Sequence, residues 1–253
     1  MDNPIRICIG TEPCTEIPRK VLQYTILKHA ASPESIEFHS LTDGPELAPI
    51  RSATGFSMQR WRLPEFFGYQ GRAIYLDADQ LVFADIGELW RIDQQYPNSK
   101  TCAWCTYLRG FPQASVVLVD CEKARLQWPS MKEILDFIVG PGEDENRTRY
   151  RTVMNGQLLK EPPQEITVHW NHLNEYVPGE TRLLHFTRQS TQPWRNPEHP
   201  YTSVWKEQLL SAIRAGQVSK DEVLAACERS SPNPTHWKEV DMHPYWRGCM
   251  DEV

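Results

Sequence analysis

The stretch Arg72-Ala73-Ile74-Tyr75-Leu76-Asp77-Ala78-Asp79-Gln80-Leu81-Val82-Phe83 constrains this chain more than any other. Its apolar run, residues 73 to 76, predicts a buried strand, and two carboxylates separated by one residue follow at the carboxyl end of that strand. Residues i and i+2 of a strand face the same way, so Asp77 and Asp79 can present oxygens to one hard cation. Mg²⁺ and Mn²⁺ prefer a few protein carboxylates together with phosphate oxygens. The stretch therefore indicates a site for a nucleotide and a metal.

Two other interpretations of this stretch stay open at this point. Asp is a common turn residue, so the pair can simply end a strand and begin a turn. Phosphatases of the haloacid dehalogenase type also place an Asp-x-Asp after an apolar strand and use the first Asp as nucleophile. Such an enzyme needs a later acidic pair for its Mg²⁺, and the later acidic cluster here, residues 142 to 145, lies in a polar segment with no strand before it.

Composition narrows the class of protein. The 253 residues are enough for a full core, and the net charge of −6 lacks the basic footprint of a general nucleic-acid binder. We find no apolar run of the roughly 18 residues that a membrane span needs, and the amino-terminal residues do not have the layout of a signal peptide. The seven cysteines, an odd number at irregular spacing, indicate reduced thiols. We expect a cytoplasmic protein.

Periodicity predicts alternating strands and helices. Strands are expected at residues 5–10, 36–41, 73–76, 101–107, 114–119, 165–170 and 181–186. Helical patterns cover residues 17–31, 58–67, 85–90, 121–139 with a break at Trp128-Pro129, 201–215 and 219–228, whereas residues 46–58 have no regular period and 140–149 are expected to form a polar loop. This alternation predicts an α/β fold with a mostly parallel central sheet flanked by helices and a helical C-terminal extension. We expect a catalytic domain over residues 1–200, with residues 201–253 packed on it.

In such a fold, ligands bind beyond the carboxyl ends of the strands. The loop Gly10-Thr11-Glu12, the Asp77-Asp79 pair and His185 all lie at such ends of predicted strands. They are therefore expected to share one site, although an isolated histidine between Leu184 and Phe186 is also typical of a core position.

Three segments together resemble glycosyltransferase family 8: Arg60-Trp61-Arg62-Leu63-Pro64, the stretch 73–79, and Asp85-Ile86-Gly87-Glu88-Leu89-Trp90. The similarity extends from Ile5 to about Trp194. It implies the GT-A fold, a nucleotide-sugar donor that is usually linked to UDP, and sugar transfer with retention of anomeric configuration.

The resemblance also implies roles for individual residues. Asp77 and Asp79 match the family's Asp-x-Asp, which binds metal together with the diphosphate, and His185 matches its third metal ligand. A neutral imidazole suits Mn²⁺ better than Mg²⁺, so Mn²⁺ is expected first and Mg²⁺ second. The donor-binding residues expected from the match are Gly10, Thr11, Glu12, Arg60, Asp77, Ala78, Gln113, Arg188 and Trp194.

Two segments depart from the family pattern. The closing motif, which runs from His185 to Pro193-Trp194, is one residue longer and lacks the usual glycine and lysine, so Arg188 or Arg195 is expected to supply the missing charge. The segment around Asn155 and Gln157 has amides where the family has an acidic residue.

An amide is a poor covalent nucleophile, so attack on the same face as departure is expected. In that mechanism the metal stabilises the leaving diphosphate, and Asn155 or Gln157 positions the sugar or the acceptor as a catalytic residue.

The expected activity is transfer of a hexose-type sugar from a UDP-sugar to an acceptor hydroxyl. The alternatives are a haloacid dehalogenase-like phosphatase and a nucleotide-sugar-binding protein without catalysis. The acceptor, whether a saccharide, a lipid-linked glycan or a small molecule, is not indicated, and a homodimer is one open arrangement. Neither a nucleic-acid partner nor a membrane span is expected.

Overall fold

The computed structural model describes residues 4–41, 57–140 and 142–253; the aperiodic stretch 46–58 falls almost wholly outside this part of the chain. The strands in the described part are β1 (Ile5–Gly10), β2 (Ile36–Ser40), β3 (Arg72–Asp77), β4 (Gln80–Val82), β5 (Ala103–Leu108), β6 (Phe111–Asp120), β7 (Gln164–Glu165), β8 (His172–Leu173) and β9 (Leu183–His185). The α-helices there are α1 (Glu16–His29), α2 (Leu63–Phe66), α3 (Ile86–Trp90), α4 (Cys121–Gln127), α5 (Met131–Ile138), α6 (Glu143–Met154), α7 (Thr202–Arg214), α8 (Lys220–Arg229) and α9 (Tyr245–Cys249).

The chain divides into two compact units. The first contains the described residues of Met1–Thr11, Glu34–Asp77 and Gly87–Trp170, and the second contains Glu12–Pro33, Ala78–Ile86 and Asn171–Val253. The expected domain boundary at residue 200 stays a prediction.

A six-stranded sheet in the order β2-β1-β3-β6-β5-β7 forms the centre of the first unit. Strand β1 is parallel to β2 and β3, and β7 is parallel to β5, whereas β6 runs antiparallel to both of its neighbours. The expected α/β fold, with helices flanking a mostly parallel sheet, is confirmed.

One face of this sheet is covered by helices. Cys8, Tyr75, Val117 and Cys105 lie side by side across four strands and are each at most 1% exposed. Because side chains alternate along a strand, this row points to one face, where it joins the apolar side chains of α4, α5 and α6 in a single core cluster. In β3 and in the second half of β6, successive residues are buried, so both faces of these strands are covered. This explains why the two strands have nearly unbroken apolar sequences.

A second core lies in the second unit. There a three-stranded sheet, β4-β9-β8, is accompanied by α1, α7, α8 and α9. Trp194, Trp205 and Trp246 pack in sequence, with ring centroids 5.5 Å and 4.8 Å apart, and each is at most 1% exposed. Helix α8 begins as expected, since Ser219 and Glu222 form a reciprocal capping box.

The polar loop expected at residues 140–149 is wrong. Residues Glu143–Met154 form α6, whose first turn carries three acidic side chains at the positive end of the helix dipole. Ion pairs with i,i+4 spacing join Glu143 to Arg147 and Glu145 to Arg149. The segment has the polar composition of a loop because only a narrow stripe of the helix, which includes Asn146 and Val153, is buried.

The strand expected at residues 165–170 is also wrong in most of its length. Only Gln164–Glu165 pair, parallel to β5 at the edge of the sheet, and Val168–Asn171 form a 3₁₀ turn. Trp170 N–H donates to the Thr167 carbonyl at 3.2 Å, which closes that turn.

Among the described residues no helix is both long and apolar enough to cross a membrane.

Candidate active site

Asp77 is the last residue of β3 and lies beside Gly10, the last residue of β1, in the sheet register. Its carboxylate accepts from Arg60: the Nη2 nitrogen is 3.0 Å from Oδ1 and 3.1 Å from Oδ2. The two side chains are only 5% and 9% exposed. This buried ion pair holds the first aspartate in one orientation at the carboxyl end of the strand.

Arg60 is charged in this setting. Burial lowers the pKa of its guanidinium, but electrostatic interactions with the Asp77 carboxylate and the phenolic groups of Tyr75 and Tyr150 outweigh burial, so the pKa is raised overall. The Tyr75 ring also lies under the guanidinium, 5.1 Å from its carbon. Burial raises the pKa of Tyr150, partly offset by a hydrogen bond with Ser57 and by the charge of Arg60.

Asp79 and His185 meet through strand pairing. In the antiparallel pair β4–β9, Gln80 lies opposite His185, and the backbone N–H of Phe186 donates to the Asp79 carbonyl at 2.9 Å. This pairing brings His185 Nε2 to 3.2 Å from Asp79 Oδ1. Both residues are buried, at 5% and 6% exposure, so the contact lies in an environment of low dielectric.

The orientation of His185 is fixed by a second contact. Nδ1 lies 3.0 Å from Asn171 Oδ1, and since a carboxamide oxygen only accepts, Nδ1 donates in this contact. Nε2, on the other side of the ring, therefore faces Asp79 Oδ1, a buried oxygen that accepts no hydrogen bond from any described residue. A carboxylate oxygen and an unprotonated imidazole nitrogen are both ligand atoms that a divalent metal accepts.

The donor set suits a divalent metal. Ligand atoms of Asp77, Asp79 and His185 lie within 4.8 Å of one another. Two carboxylates and one imidazole match the preferences of Mn²⁺, and less closely those of Mg²⁺. The three residues expected from sequence to bind metal are thus brought together.

A buried carboxamide contacts the far side of Asp79. Gln192 Nε2 donates to Asp79 Oδ2 at 2.8 Å and to the Phe186 carbonyl at 2.7 Å, while its Oε1 accepts from Arg195 Nη1. Burial lowers the pKa of Arg195, whose other donors reach the backbone carbonyls of Val240, Gln189 and Cys14. Arg195, considered from sequence as a source of charge for the donor, is instead directed into the protein.

The other predicted site residues of the first unit lie around the end of the sheet. Gly10 is the last residue of β1, and Thr11, which follows it, is buried. Gln113, near the start of β6, is half-buried and its amide donates to neighbouring backbone carbonyls. Asn155 caps the carboxyl end of α6 and is half-buried, and Gln157 is exposed.

The predicted residues of the second unit have different settings. Glu12 is half-buried and lies 3.7 Å from the Lys238 ammonium. Ala78 and Trp194 are buried, the latter in the tryptophan core, whereas Arg188 is exposed beside a cavity of about 360 Å³. The donor-binding and catalytic roles of these residues stay predictions.

Sequence reasoning missed three side chains of the site. Tyr150 carried a signal, because Asn146, Tyr150 and Val153 have the i, i+4, i+7 spacing of a buried helix face. Asn171 and Gln192 carried none, because a single carboxamide in an irregular segment has no periodicity to mark it.

No protein-family model matches the chain. The chain is 27% identical over 216 residues to Protein CDI of Arabidopsis thaliana, which covers 76% of this chain and 80% of that protein.

Solved structures with the same fold are glycosyltransferases. The apo form of GlyE from Streptococcus pneumoniae superimposes with a TM-score of 0.61 at 13% identity, over 85% of this chain and 63% of that one. The galactosyltransferase LgtC, solved with donor and acceptor sugar analogues, gives 0.58 at 16% identity, over 85% of this chain and all of that one. The bifunctional glycosyltransferase WbbM gives 0.57 at 9% identity, over 85% of this chain and 52% of that one, so this chain spans about half of WbbM and less than two thirds of GlyE.

The chain therefore has the GT-A glycosyltransferase fold with an Asp-Asp-His cluster, as the resemblance to family 8 implied.

Proposed function

We propose that this protein is a metal-dependent, retaining glycosyltransferase that moves a hexose-type sugar from a UDP-sugar to an acceptor hydroxyl. The observation that carries the proposal is the buried cluster of Asp77, Asp79 and His185 in a GT-A fold. A metal held by these residues, Mn²⁺ first and Mg²⁺ second, supplies positive charge against a leaving diphosphate.

The chain's own residues prepare this site. Arg60 fixes the Asp77 carboxylate through two short contacts, so that carboxylate needs little reorganisation to bind a ligand. Asn171 accepts from His185 Nδ1, so that Nε2 is the ring nitrogen that faces Asp79. Two of the three proposed metal ligands, Asp77 and His185, are thus oriented before a substrate arrives.

The amides beside the sheet are the proposed catalytic residues. Asn155 and Gln157 flank Gly156, whose Cα lies so close to Pro112 that an added Cβ would be 3.0 Å from the proline ring. This contact places the turn against the start of β6, next to Gln113. Neither amide can serve as a carboxylate nucleophile, which favours attack on the face from which the diphosphate departs, with Asn155 or Gln157 positioning sugar or acceptor.

A second candidate is a nucleotide-sugar-binding protein without catalysis. The segment Asn155-Gly156-Gln157 has no acidic residue where the family has one, and this favours the binding protein. The buried metal cluster favours an enzyme, because a cation placed against a diphosphate chiefly promotes its departure. The phosphatase alternative has no support in the described residues, since the later acidic cluster forms the exposed first turn of α6.

Calorimetric titration with UDP tests the site directly. The wild-type protein is expected to bind UDP with Mn²⁺ present and to lose most of that binding when EDTA replaces the metal. His185→Ala should abolish the metal-dependent component. His172→Ala is a matched control, because His172 is also buried but pairs with Thr181 at 2.7 Å and is not in the cluster.

Incubation with a panel of UDP-sugars separates the two candidates. Release of UDP, increased by an acceptor, identifies a transferase, whereas metal-dependent UDP binding without release identifies the binding protein. Equal UDP affinity with and without metal would refute the proposed site.

A further inference from the structure

Gln192 is the only described side chain whose amide is shared between a candidate metal ligand and a buried cation. It is 2% exposed and directly precedes Pro193-Trp194. We propose that Gln192, held in place by Arg195 and the C-terminal segment, is a positioning residue that selects which oxygen of Asp79 binds the metal. This inference rests on the proposed metal site.

The orientation of the Gln192 amide is determined by its three partners. Oε1 faces the guanidinium of Arg195, which can only donate, so the NH₂ group must face the two acceptors on the other side. Its two protons then go to Asp79 Oδ2 at 2.8 Å and to the Phe186 carbonyl at 2.7 Å. The reversed amide would set NH₂ against the guanidinium and an oxygen against a carboxylate, so a single arrangement is stable.

This arrangement makes the two oxygens of Asp79 different. Oδ2 is occupied by the Gln192 donor, and Oδ1, which no described residue contacts by a hydrogen bond, lies 3.2 Å from His185 Nε2. A carboxylate free to rotate can bind a metal through either oxygen or through both. The hydrogen bond to Oδ2 favours monodentate binding through Oδ1.

Arg195 in turn is fixed by the C-terminal segment. Its Nε donates to the carbonyl of Val240 at 2.8 Å, and its guanidinium carbon lies 4.9 Å from the ring of Trp237. Further contacts attach the same segment next to Gln192: His243 N–H donates to the Trp194 carbonyl at 2.7 Å, and Trp246 Nε1 donates to it at 3.1 Å. Residues 237–246 thereby support Asp79 through Arg195 and Gln192.

The test measures Mn²⁺ binding to the full chain by the electron paramagnetic resonance signal of the free ion, without donor or acceptor. Gln192→Met keeps the length of the side chain and removes both donors, and its Mn²⁺ affinity is expected to fall roughly tenfold or more. Gln208→Met is the matched control, because Gln208 is a buried amide that accepts from Lys28 at 3.0 Å and does not contact the cluster. Its Mn²⁺ affinity should equal that of the wild type.

Selectivity between metals distinguishes positioning from loss of structure. Ca²⁺ tolerates irregular and bidentate coordination better than small cations do. Gln192→Met should therefore weaken Ca²⁺ binding less than Mn²⁺ binding, and the ratio of the two affinities should shift toward Ca²⁺. A general loss of folding would weaken both equally.

A second variant tests the same link from a distance. Trp237→Leu removes the ring over Arg195 and is expected to lower Mn²⁺ affinity about threefold, with no further loss when combined with Gln192→Met. Trp237→Leu also tests the positioning role by itself if Gln192→Met does not fold. Unchanged Mn²⁺ affinity in these variants would overturn the positioning role and leave the proposed function intact, whereas a wild-type protein that binds no Mn²⁺ would overturn both.

Discussion

Replacing Arg60 by Met tests how much the buried Arg60–Asp77 ion pair contributes to the free energy of unfolding. The two charges lie 3.0 Å apart with side chains only 5% and 9% exposed. At an effective dielectric constant of about 20, their attraction is roughly 5 kcal/mol. Removing one partner leaves a buried carboxylate without its counter-charge, which typically costs about 3–5 kcal/mol. We therefore expect the free energy of unfolding of Arg60→Met to fall by about that amount in the absence of metal.

Urea unfolding followed by tryptophan fluorescence measures this loss, since the chain has nine tryptophans and Trp61 follows Arg60 directly. The double variant Arg60→Met with Asp77→Asn removes both charges and should recover most of the stability. Mn²⁺ should stabilise Arg60→Met more than the wild type, because a bound cation replaces the missing positive charge beside Asp77.

The reasoning is refuted if Arg60→Met loses less than about 1 kcal/mol, which is the value typical of a solvated pair. It is also refuted if the double variant is no more stable than Arg60→Met, because the cost would then come from lost packing and not from an unpaired charge.

Three further predictions follow from other parts of the chain. Gln157→Ala should lower the rate of sugar transfer while UDP affinity stays at the wild-type value; wild-type turnover would remove that residue from the catalytic set. Gly156→Ala should cost about 1–3 kcal/mol in urea unfolding, because φ is +66° and the new Cβ would lie 3.0 Å from a proline. Gly179→Ala, with φ of +81° but open space, should cost less, and equal losses would contradict the steric argument. Burial raises the pKa of the Cys14 thiol to about 12, so at pH 8 almost none is thiolate, and labelling detected by mass spectrometry should require unfolding.

Much of the metal cluster was predictable because it depends on local order. Asp77 ends an apolar strand and Asp79 follows two residues later in the bend before β4, so both carboxylates lie close to the carboxyl end of β3. The β1, β3, β6 and α8 predictions were confirmed for the same reason: period and capping residues are properties of a short segment. His185 was expected near the end of a short predicted strand, and the structure confirms that strand as β9, whose last residue is His185.

The errors came from segments whose structure depends on what they pack against. Helix α6 is polar on most of its surface, so its stability comes from ion pairs along the helix and from a narrow buried stripe. Strand β7 pairs for only two residues at the sheet edge, and the chain then turns into the 3₁₀ segment Val168–Asn171. Neither condition can be read from composition.

The amino-acid sequence by itself determined the strand that carries Asp77 and the general α/β class, because side-chain alternation and hydrophobic runs act within a few residues; the resemblance to family 8 added His185 to the candidate metal ligands. Tertiary structure alone decided the orientations of the His185 ring and of the Asp79 carboxylate. Asn171 and Gln192 reach these side chains across 14 and 113 residues of sequence. Hydrogen bonds of that span depend on how separate segments are folded together, and such folding leaves no local pattern in the chain.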